Sequence, residues 1–206
     1  SEPWGSVTEA GMRTAKITRK TGETDIKLKL NLDGQGKAEI DTGIGFFDHM
    51  MDAFARHGMF DVDLKVKGDL NVDGHHSVED TGIVLGEAIR KAVGDKKGIR
   101  RYGYFVLPMD EALVVCAIDL CGRPYYVSDA RFPSGMVGDF DTELVNEFFY
   151  AVSYSGAMNL HFRVLSGNNT HHIIEAMFKA FSKALDMATG TDPRIADVLS
   201  TKGVLE

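Results

Sequence analysis

The sequence predicts an α+β fold built from two related halves, each a small sheet backed by two helices. Two observations support this prediction. The order strand-strand-strand-helix-strand-helix can be traced twice along the 206 residues. A His-His-x-x-Glu motif opens the last helix of each half, at 75–79 and again at 171–175. We therefore expect one domain of two pseudo-repeats, at about 10–97 and 98–190, followed by a C-terminal tail at 191–206.

The first half carries clear strand and helix patterns. The segments predicted as strands are 12–21, 24–34, 36–43 and 61–69. In the second of them, Ile26, Leu28, Leu30 and Leu32 recur at a period of two and share one face. The segments predicted as helices are 45–60 and 75–94. Apolar residues at 47, 50, 51 and 54 form the stripe of the shorter helix, and Gly58 is placed at its C-terminal cap.

The second half repeats the order of the first. Its predicted strands are 102–110, 111–120, 124–130 and 159–167, and its predicted helices are 141–158 and 171–190. Aligning the two shorter helices on Gly58 and Gly156 sets His49 opposite Glu147, and aligning the longer helices superimposes the two His-His-x-x-Glu motifs. Because the motifs fall in register with the surrounding elements, duplication explains the similarity better than chance.

The composition excludes several classes of partner. The formal net charge of −7 argues against nucleic acid and anionic membranes as partners, although local Arg and Lys clusters could still bind a small anion. Cys116 and Cys121 are placed on opposite faces of one strand, so we expect no disulfide and a reducing compartment. The first 20 residues lack the apolar core of a signal peptide. We therefore expect a cytoplasmic protein, or a plastid one if a transit peptide was removed.

The paired histidines point to two metal sites. His75 and Glu79 are four residues apart on a helix, so their side chains share a face and can bind one ion. His76 is rotated from His75 by roughly 100° and points elsewhere. The same argument applies to the second motif. Each helix would therefore supply ligands to two different ions.

A pseudo-twofold relation between the halves leads to two equivalent sites. The first would combine His49, His76, His171 and Glu175. The second would combine His75, Glu79, Glu147 and His172. Imidazole and carboxylate ligands without a thiolate favour Mn²⁺ or Fe²⁺, with Zn²⁺ also possible. The sequence leaves open whether each site lies within one chain or between subunits.

Four motifs in order resemble the imidazoleglycerol-phosphate dehydratases of histidine biosynthesis. They are "GFFDHMMDAFARHG", "HHSVEDTGI", "NLHFRVLSGNNTHHIIEAMFKAF" and "STKG", and the resemblance runs from about Arg13 to Gly203. It implies a lyase with two Mn²⁺ ions per active site, in a homo-oligomer of twenty-four subunits with metals between subunits. The metal ligands it implies are the eight residues of the two sites above. The family often has His where this chain has Glu147, and Asp-Asp where it has Asp73-Gly74; a carboxylate is also a competent manganese ligand.

The resemblance also implies a substrate site. The residues assigned to it are Glu23, His49, His57, His75, His76, Glu79, Arg101, Arg123, His171, Glu175, Ser200, Thr201 and Lys202. Of these, Arg101, Arg123 and Lys202 would bind the phosphate of imidazole glycerol phosphate, with hydroxyl groups from Ser200 and Thr201. Glu23 and Glu175 are the alternatives for the catalytic proton shuttle. His161, on a predicted strand, is as well explained by a structural role.

The implied reaction converts imidazole glycerol phosphate to imidazole acetol phosphate and water. Metals on the imidazole nitrogens would stabilise an imidazolate, which expels the adjacent hydroxyl to give a diazafulvene-like intermediate. Proton loss then gives an enol that becomes the ketone. Two alternatives stay open: a dinuclear metallohydrolase, and a metal-storing or assembly module without activity. A storage module would need no phosphate-binding cations, so Arg101, Arg123 and Lys202 distinguish the dehydratase hypothesis from the storage hypothesis.

Overall fold

The computed structural model describes residues 11–206. The segment 1–10, on which part of the leader-peptide interpretation rests, lies outside the described residues. In the described part, the first half contains β1 (Thr14–Lys20), β2 (Thr24–Asn31), β3 (Ala38–Asp41), α1 (Gly45–Gly58), β4 (Asp61–Gly68) and α2 (His75–Val93). The second half contains β5 (Tyr102–Met109), β6 (Ala112–Asp119), β7 (Tyr125–Ser128), β8 (Met136–Val137), β9 (Phe140–Asp141), α3 (Leu144–Ser155), β10 (Asn159–Ser166) and α4 (Thr170–Thr189).

The two halves have the same sheet topology. The first sheet has the order β1-β2-β4-β3, and the second has the order β5-β6-β10-β7. In each sheet three strands are antiparallel and the short third strand of the half pairs in parallel with the fourth, as β3 with β4 and β7 with β10. The predicted α+β duplication is therefore confirmed. The bounds of the repeats, about 10–97 and 98–190, stay a prediction.

The four helices lie between the two sheets. α2 packs on the first sheet and on α3, while α4 packs on the second sheet and on α1. The inner strand positions alternate with exposed ones, and Ile26, Leu28 and Leu30 are fully buried as the period of two predicts. The apolar stripe of α1, Phe47, Met50, Met51 and Phe54, is also fully buried.

Aromatic rings join the halves at the centre of the helical layer. The ring centroids of Phe47 on α1 and Phe148 on α3 are 5.4 Å apart, and those of Phe54 on α1 and Phe181 on α4 are 5.7 Å apart. Aromatic pairs at such separations contribute about 0.5–1.5 kcal/mol each beyond the area they bury. The two repeats consequently share one core, and the starts of their long helices are held at fixed positions.

Three details differ from the sequence-based expectation. A small hairpin, β8–β9, is inserted between the third strand and the short helix of the second half. Gly58 is the last residue of α1 rather than its cap, and Met59 adopts the left-handed cap conformation, with φ 59°. β6 ends at Asp119, so Cys121 is not on the strand, where it was predicted. Both cysteines are buried, and both are free. None of the described helices has the length and apolarity that a membrane crossing requires.

Two glycines allow α2 and α3 to approach closely. A Cβ at Gly86 would lie 2.5 Å from the Val152 carbonyl oxygen and 2.7 Å from the Gly156 backbone nitrogen. A Cβ at Gly82 would lie 2.6 Å from the Phe148 carbonyl oxygen. Since these neighbours are backbone atoms that cannot rotate away, the close packing of α2 on α3 depends on the missing side chains. The N-terminal turns of both helices are thereby brought together.

We predict that Gly86→Ala destabilises the metal-free protein by about 1–3 kcal/mol, because the added methyl group overpacks the contact between α2 and α3. The free energy of unfolding would be measured in urea after EDTA treatment. Gly45→Ala is the matched control, since Gly45 is also helical and a Cβ there meets no atom within 4 Å. Equal stability of the two variants would contradict the close-packing argument.

Candidate metal and substrate site

The first group of candidate ligands joins α1 to α4. His49, His171 and Glu175 each place one ligand atom within 4.8 Å of the others. The His49 Nε2 lies 2.7 Å from the Glu175 Oε1, and the His171 Nε2 lies 3.3 Å from the same oxygen. His171 and Glu175 share a helix face because they are four residues apart. His49 reaches them because α1 packs on α4.

Glu175 is the buried member of this group, with 6% of its surface exposed. Burial raises its pKa, but the Lys179 ammonium group and hydrogen bonds from His49 and His171 outweigh burial and lower the pKa below the usual value. The Lys179 Nζ lies 2.9 Å from the Glu175 Oε2. Glu175 is therefore a carboxylate that stays ionised although it is buried, as a metal ligand must.

The second group joins α2 to α3 in the equivalent way. His75, Glu79 and Glu147 place their ligand atoms within 4.8 Å of one another. The His75 Nε2 lies 2.7 Å from the Glu79 Oε2, and Glu147 comes from the first turn of α3. The Asp73 carboxylate, one residue before the capping position Gly74, accepts the backbone N–H of His75 at 2.9 Å. The Asp73-Gly74 sequence thus still supplies a partner to the first turn of α2.

His76 and His172 belong to neither group within the chain. The Nδ1 of His76 lies 2.8 Å from the Asp69 Oδ2, and the Nδ1 of His172 is in a very short contact with the Glu111 Oε1. The hydrogen bond to Asp69 raises the pKa of His76, and that to Glu111 raises the pKa of His172. The His172 contact and backbone N–H groups lower the pKa of Glu111 to about 2. The four-ligand sets predicted from symmetry are consequently not completed inside a single chain.

Glu23 lies beside one of these histidines. It sits in the turn between β1 and β2, and its Oε2 lies 3.4 Å from the His76 Nε2. The equivalent turn of the second half, between β5 and β6, carries Asp110, whose Oδ2 lies 3.6 Å from the His172 Nε2. Carboxylates from corresponding turns therefore face corresponding histidines in the two halves.

The candidate phosphate-binding residues line one open pocket of about 730 Å³. It brings together Arg101, Arg123, Ser200, Thr201 and Lys202, as well as the C-terminal segment to Glu206. Arg101 adopts a positive φ of 72°, and its Nε lies 2.7 Å from the Asp119 Oδ1 while its Nη1 donates to the Leu199 carbonyl oxygen at 2.8 Å. These bonds hold the guanidinium group in place at the pocket wall.

His57 and His161 are not members of either ligand group. His57 lies in the last turn of α1, two turns beyond His49, where burial and the charges of Lys179 and Lys183 lower its pKa. His161 is an exposed residue of β10. The structure adds residues that sequence reasoning did not select, namely Asp69, Asp110, Glu111 and Lys179. Only Lys179 carried a sequence signal, its spacing of four residues from Glu175.

Both groups have the donor chemistry of a divalent metal site. Each offers imidazole nitrogen and carboxylate oxygen at short mutual distances, without a thiolate. Such mixed donors suit Mn²⁺, Fe²⁺ or Zn²⁺. Three donors would fill only part of the coordination shell of such an ion.

Comparisons with known proteins agree on one family. The family model for imidazoleglycerol-phosphate dehydratase matches residues 42–185. The imidazoleglycerol-phosphate dehydratase of Lachnoclostridium phytofermentans is 68% identical over 94% of this chain and 99% of its own length. That of Acetivibrio thermocellus is 60% identical over 94% and 99%. The crystal structure of the Staphylococcus aureus enzyme covers 87% of this chain and 99% of its own, at 38% identity and a TM-score of 0.79.

We predict that the contact between Asp69 and His76 makes stability depend on pH in a defined direction. Because the folded state raises the pKa of His76, the contact stabilises the metal-free protein below the unfolded histidine pKa of about 6.5. This stabilisation is lost as pH rises through the folded pKa. The difference in unfolding free energy between wild type and Asp69→Asn should shrink across that range.

Chemical denaturation at several pH values, with EDTA present, measures this difference. Asp95→Asn is the matched control, because Asp95 lies in an exposed turn and caps the Lys97 N–H, a bond that asparagine can also make. A difference between wild type and Asp69→Asn that stayed constant with pH would count against the ion pair.

Proposed function

The chain belongs to the imidazoleglycerol-phosphate dehydratase family, and we propose that it removes water from imidazole glycerol phosphate in histidine biosynthesis. The observation that carries the proposal is the pair of histidine–carboxylate groups on related helices, His49, His171 and Glu175 on one side and His75, Glu79 and Glu147 on the other. A cytoplasmic location is part of the proposal.

Each group would hold one Mn²⁺ ion, so that two ions serve each active site. The short separations of the donors and the ionised state of buried Glu175 support this assignment. When bound, the two ions would supply positive charge beside the substrate imidazole and so would stabilise its deprotonated form, whose electrons expel the adjacent hydroxyl. A carboxylate at position 147 serves this role as well as an imidazole, since Mn²⁺ accepts both donor types.

The fourth ligand of each ion would come from another subunit. Each chain provides three donors per group, while His76 and His172 point to carboxylates outside both groups. We propose that His76 joins His49, His171 and Glu175 of a neighbour, and that His172 joins the other group in the same way. The active protein is then a homo-oligomer whose metals lie between subunits, of twenty-four chains by resemblance to the family.

The basic pocket would bind the phosphate of the substrate. Arg101, Arg123 and Lys202 provide cationic donors, and the hydroxyls of Ser200 and Thr201 complete the lining. Asp119 and the Leu199 carbonyl oxygen orient the Arg101 guanidinium group before substrate binds. A fixed donor loses less conformational entropy on binding than a mobile one.

Carboxylates would move the protons of the elimination. The imidazole ring gives up its N–H proton and expels the adjacent hydroxyl, which takes up a proton and leaves as water, so that a diazafulvene-like species of the substrate results. A carboxylate then removes the proton from the neighbouring carbon, and the electrons of that C–H bond return to the ring. A ring nitrogen is protonated again, and the enol formed becomes the ketone. Glu23 fits the shuttle because it is exposed on a turn, yet lies 3.4 Å from the proposed ligand His76. Glu175 is the alternative, although Lys179 and two histidines already engage it.

The same geometry weighs against the other readings. A metallohydrolase of the bridging type needs carboxylates shared by two close ions, whereas each group here has its own glutamates on separate helix pairs. A metal-storing module has no use for a pocket lined by two arginines and a lysine.

We predict that EDTA-treated protein has no dehydratase activity and that Mn²⁺ restores it. Formation of imidazole acetol phosphate would be followed while light scattering measures the particle mass. Because the metal groups are completed between subunits in this proposal, activity and the large particle should appear over the same range of Mn²⁺ concentration. Assembly without turnover would leave only a structural role for the metal.

We predict that Lys202→Met and Arg123→Ala each lower kcat/KM by about 10–100-fold, because a charge-assisted hydrogen bond to phosphate contributes about 1.5–3 kcal/mol. Steady-state kinetics on imidazole glycerol phosphate provide the measurement. Lys27→Met is the control variant, since Lys27 is exposed on β2 in the other half of the chain. Variants as active as wild type would count against the phosphate assignment.

A further inference from the structure

Asp69 and Glu111 contact the two histidines that point away from the ligand groups of their own chain. The Asp69 Oδ2 lies 2.8 Å from the Nδ1 of His76, and the Glu111 Oε1 contacts the Nδ1 of His172. By contrast, His75 and His171 contact their helical glutamates through Nε2. The first histidine of each motif thus makes its contact through Nε2, and the second makes its short contact through Nδ1. At the Nε2 of the second histidine the carboxylates of Glu23 and Asp110 lie farther away, at 3.4 Å and 3.6 Å.

The ring nitrogen that donates a hydrogen bond to a carboxylate cannot also bind a metal, so this hydrogen bond determines which nitrogen is available to one. A carboxylate accepts a hydrogen bond from an N–H, so Asp69 and Glu111 fix the proton on Nδ1. In the neutral ring the lone pair is then on Nε2, the nitrogen farther from the helix backbone. Each carboxylate also fixes the plane of the ring that it contacts.

In addition to contacting the His172 ring, Glu111 holds the loop before α4 and, through Asn169, the start of that helix. Its Oε2 accepts the backbone N–H groups of Asn168 at 2.9 Å and Asn169 at 3.3 Å. The Asn169 side chain in turn caps α4 by accepting the backbone N–H of His172 at 3.0 Å. One residue of the β5–β6 turn therefore fixes the loop before α4, the start of the helix and the imidazole ring.

The Asp69 side chain makes fewer hydrogen bonds than the Glu111 side chain, and the one described is its contact with His76. Its Oδ1 is buried and has no hydrogen-bond partner among the described residues. A buried carboxylate oxygen without a hydrogen-bond partner lowers the free energy of unfolding. The burial of Oδ1 therefore lowers stability, separately from the contact that Oδ2 makes with His76.

We propose that Asp69 and Glu111 are positioning residues, which aim the Nε2 atoms of His76 and His172 out of their own chain toward ions held by neighbouring subunits. The inference rests on the proposed metal sites and goes beyond them, because it assigns roles to two carboxylates that bind neither ion. It also implies that each carboxylate serves only one of the two ions. Asp69 acts through His76 on the ion held by His49, His171 and Glu175, and Glu111 acts through His172 on the other.

The test is Mn²⁺ binding by the full chain, followed through the electron paramagnetic resonance signal of free Mn²⁺. We expect wild type to bind two ions per subunit. Asp69→Asn and Glu111→Gln should each bind one ion with wild-type affinity and the second about 10–100-fold more weakly, the usual effect of losing such a carboxylate. The double variant should bind both ions weakly.

The variants are chosen to separate positioning from folding. Glutamine at 111 keeps an oxygen that can accept the Asn168 N–H, and Asp69 has no backbone contact to lose among those described. Asp69→Glu restores a carboxylate and should bind the second ion more tightly than Asp69→Asn. Glu39→Gln, an exposed residue of β3, is the matched control and should bind both ions as wild type does.

Each outcome has a distinct meaning. Two ions bound at wild-type affinity by both Asp69→Asn and Glu111→Gln would overturn the inference and leave the proposed metal sites standing. Equal weakening of both ions in each single variant would also overturn it, because the carboxylates would then act through the fold as a whole. If wild type binds no Mn²⁺, the proposed function fails first.

Discussion

Two adjacent histidines on an α-helix point to different sides of the helix, and the arrangement of the candidate ligands depends on that constraint. Their side chains diverge by roughly 100°, so one can join a ligand group on its own helix face while the other points elsewhere. The structure shows both directions at once: His75 faces Glu79, whereas His76 faces Asp69 and Glu23. A pair repeated on a second helix then gives two groups of candidate ligands, and two histidines, His76 and His172, that contact carboxylates outside these groups.

The packing of the four described helices brings the candidate ligands of each group together. His49 and Glu147 complete their groups only because α1 packs on α4 and α3 packs on α2. The missing side chains of Gly82 and Gly86 allow the second of these contacts, and the phenylalanine rings hold the four helices in one core. The close packing of helix backbones and the buried aromatic rings thereby fix the relative positions of the helices that carry the candidate ligands. The charged residues can remain near the surface without losing their positions.

Much of this was predictable from the sequence, because it depends on periodicity. The paired strands, the apolar helix stripes and the contact between His171 and Glu175 on one helix face depend on local patterns, and each was predicted correctly. Repetition extended the prediction, because it related His49 to Glu147 across the halves. The contacts of Asp69 and Glu111 could not be found in this way, since each joins a turn or a strand end to a helix start. The β8–β9 hairpin breaks the repeat, and repetition could not predict it.

The second histidines show how the duplicated halves reached one result by different means. In the first half, the carboxylate on Nδ1 comes from Asp69, directly after β4, whereas in the second half it comes from Glu111 in the turn between β5 and β6. The position after β10 is Gly167, with φ 136°, so no side chain is available there to repeat the contact of Asp69. The turn residue Glu111 takes its place. The carboxylate therefore comes from a strand end in the first half and from a turn in the second, while the ring nitrogen that it contacts is the same in both.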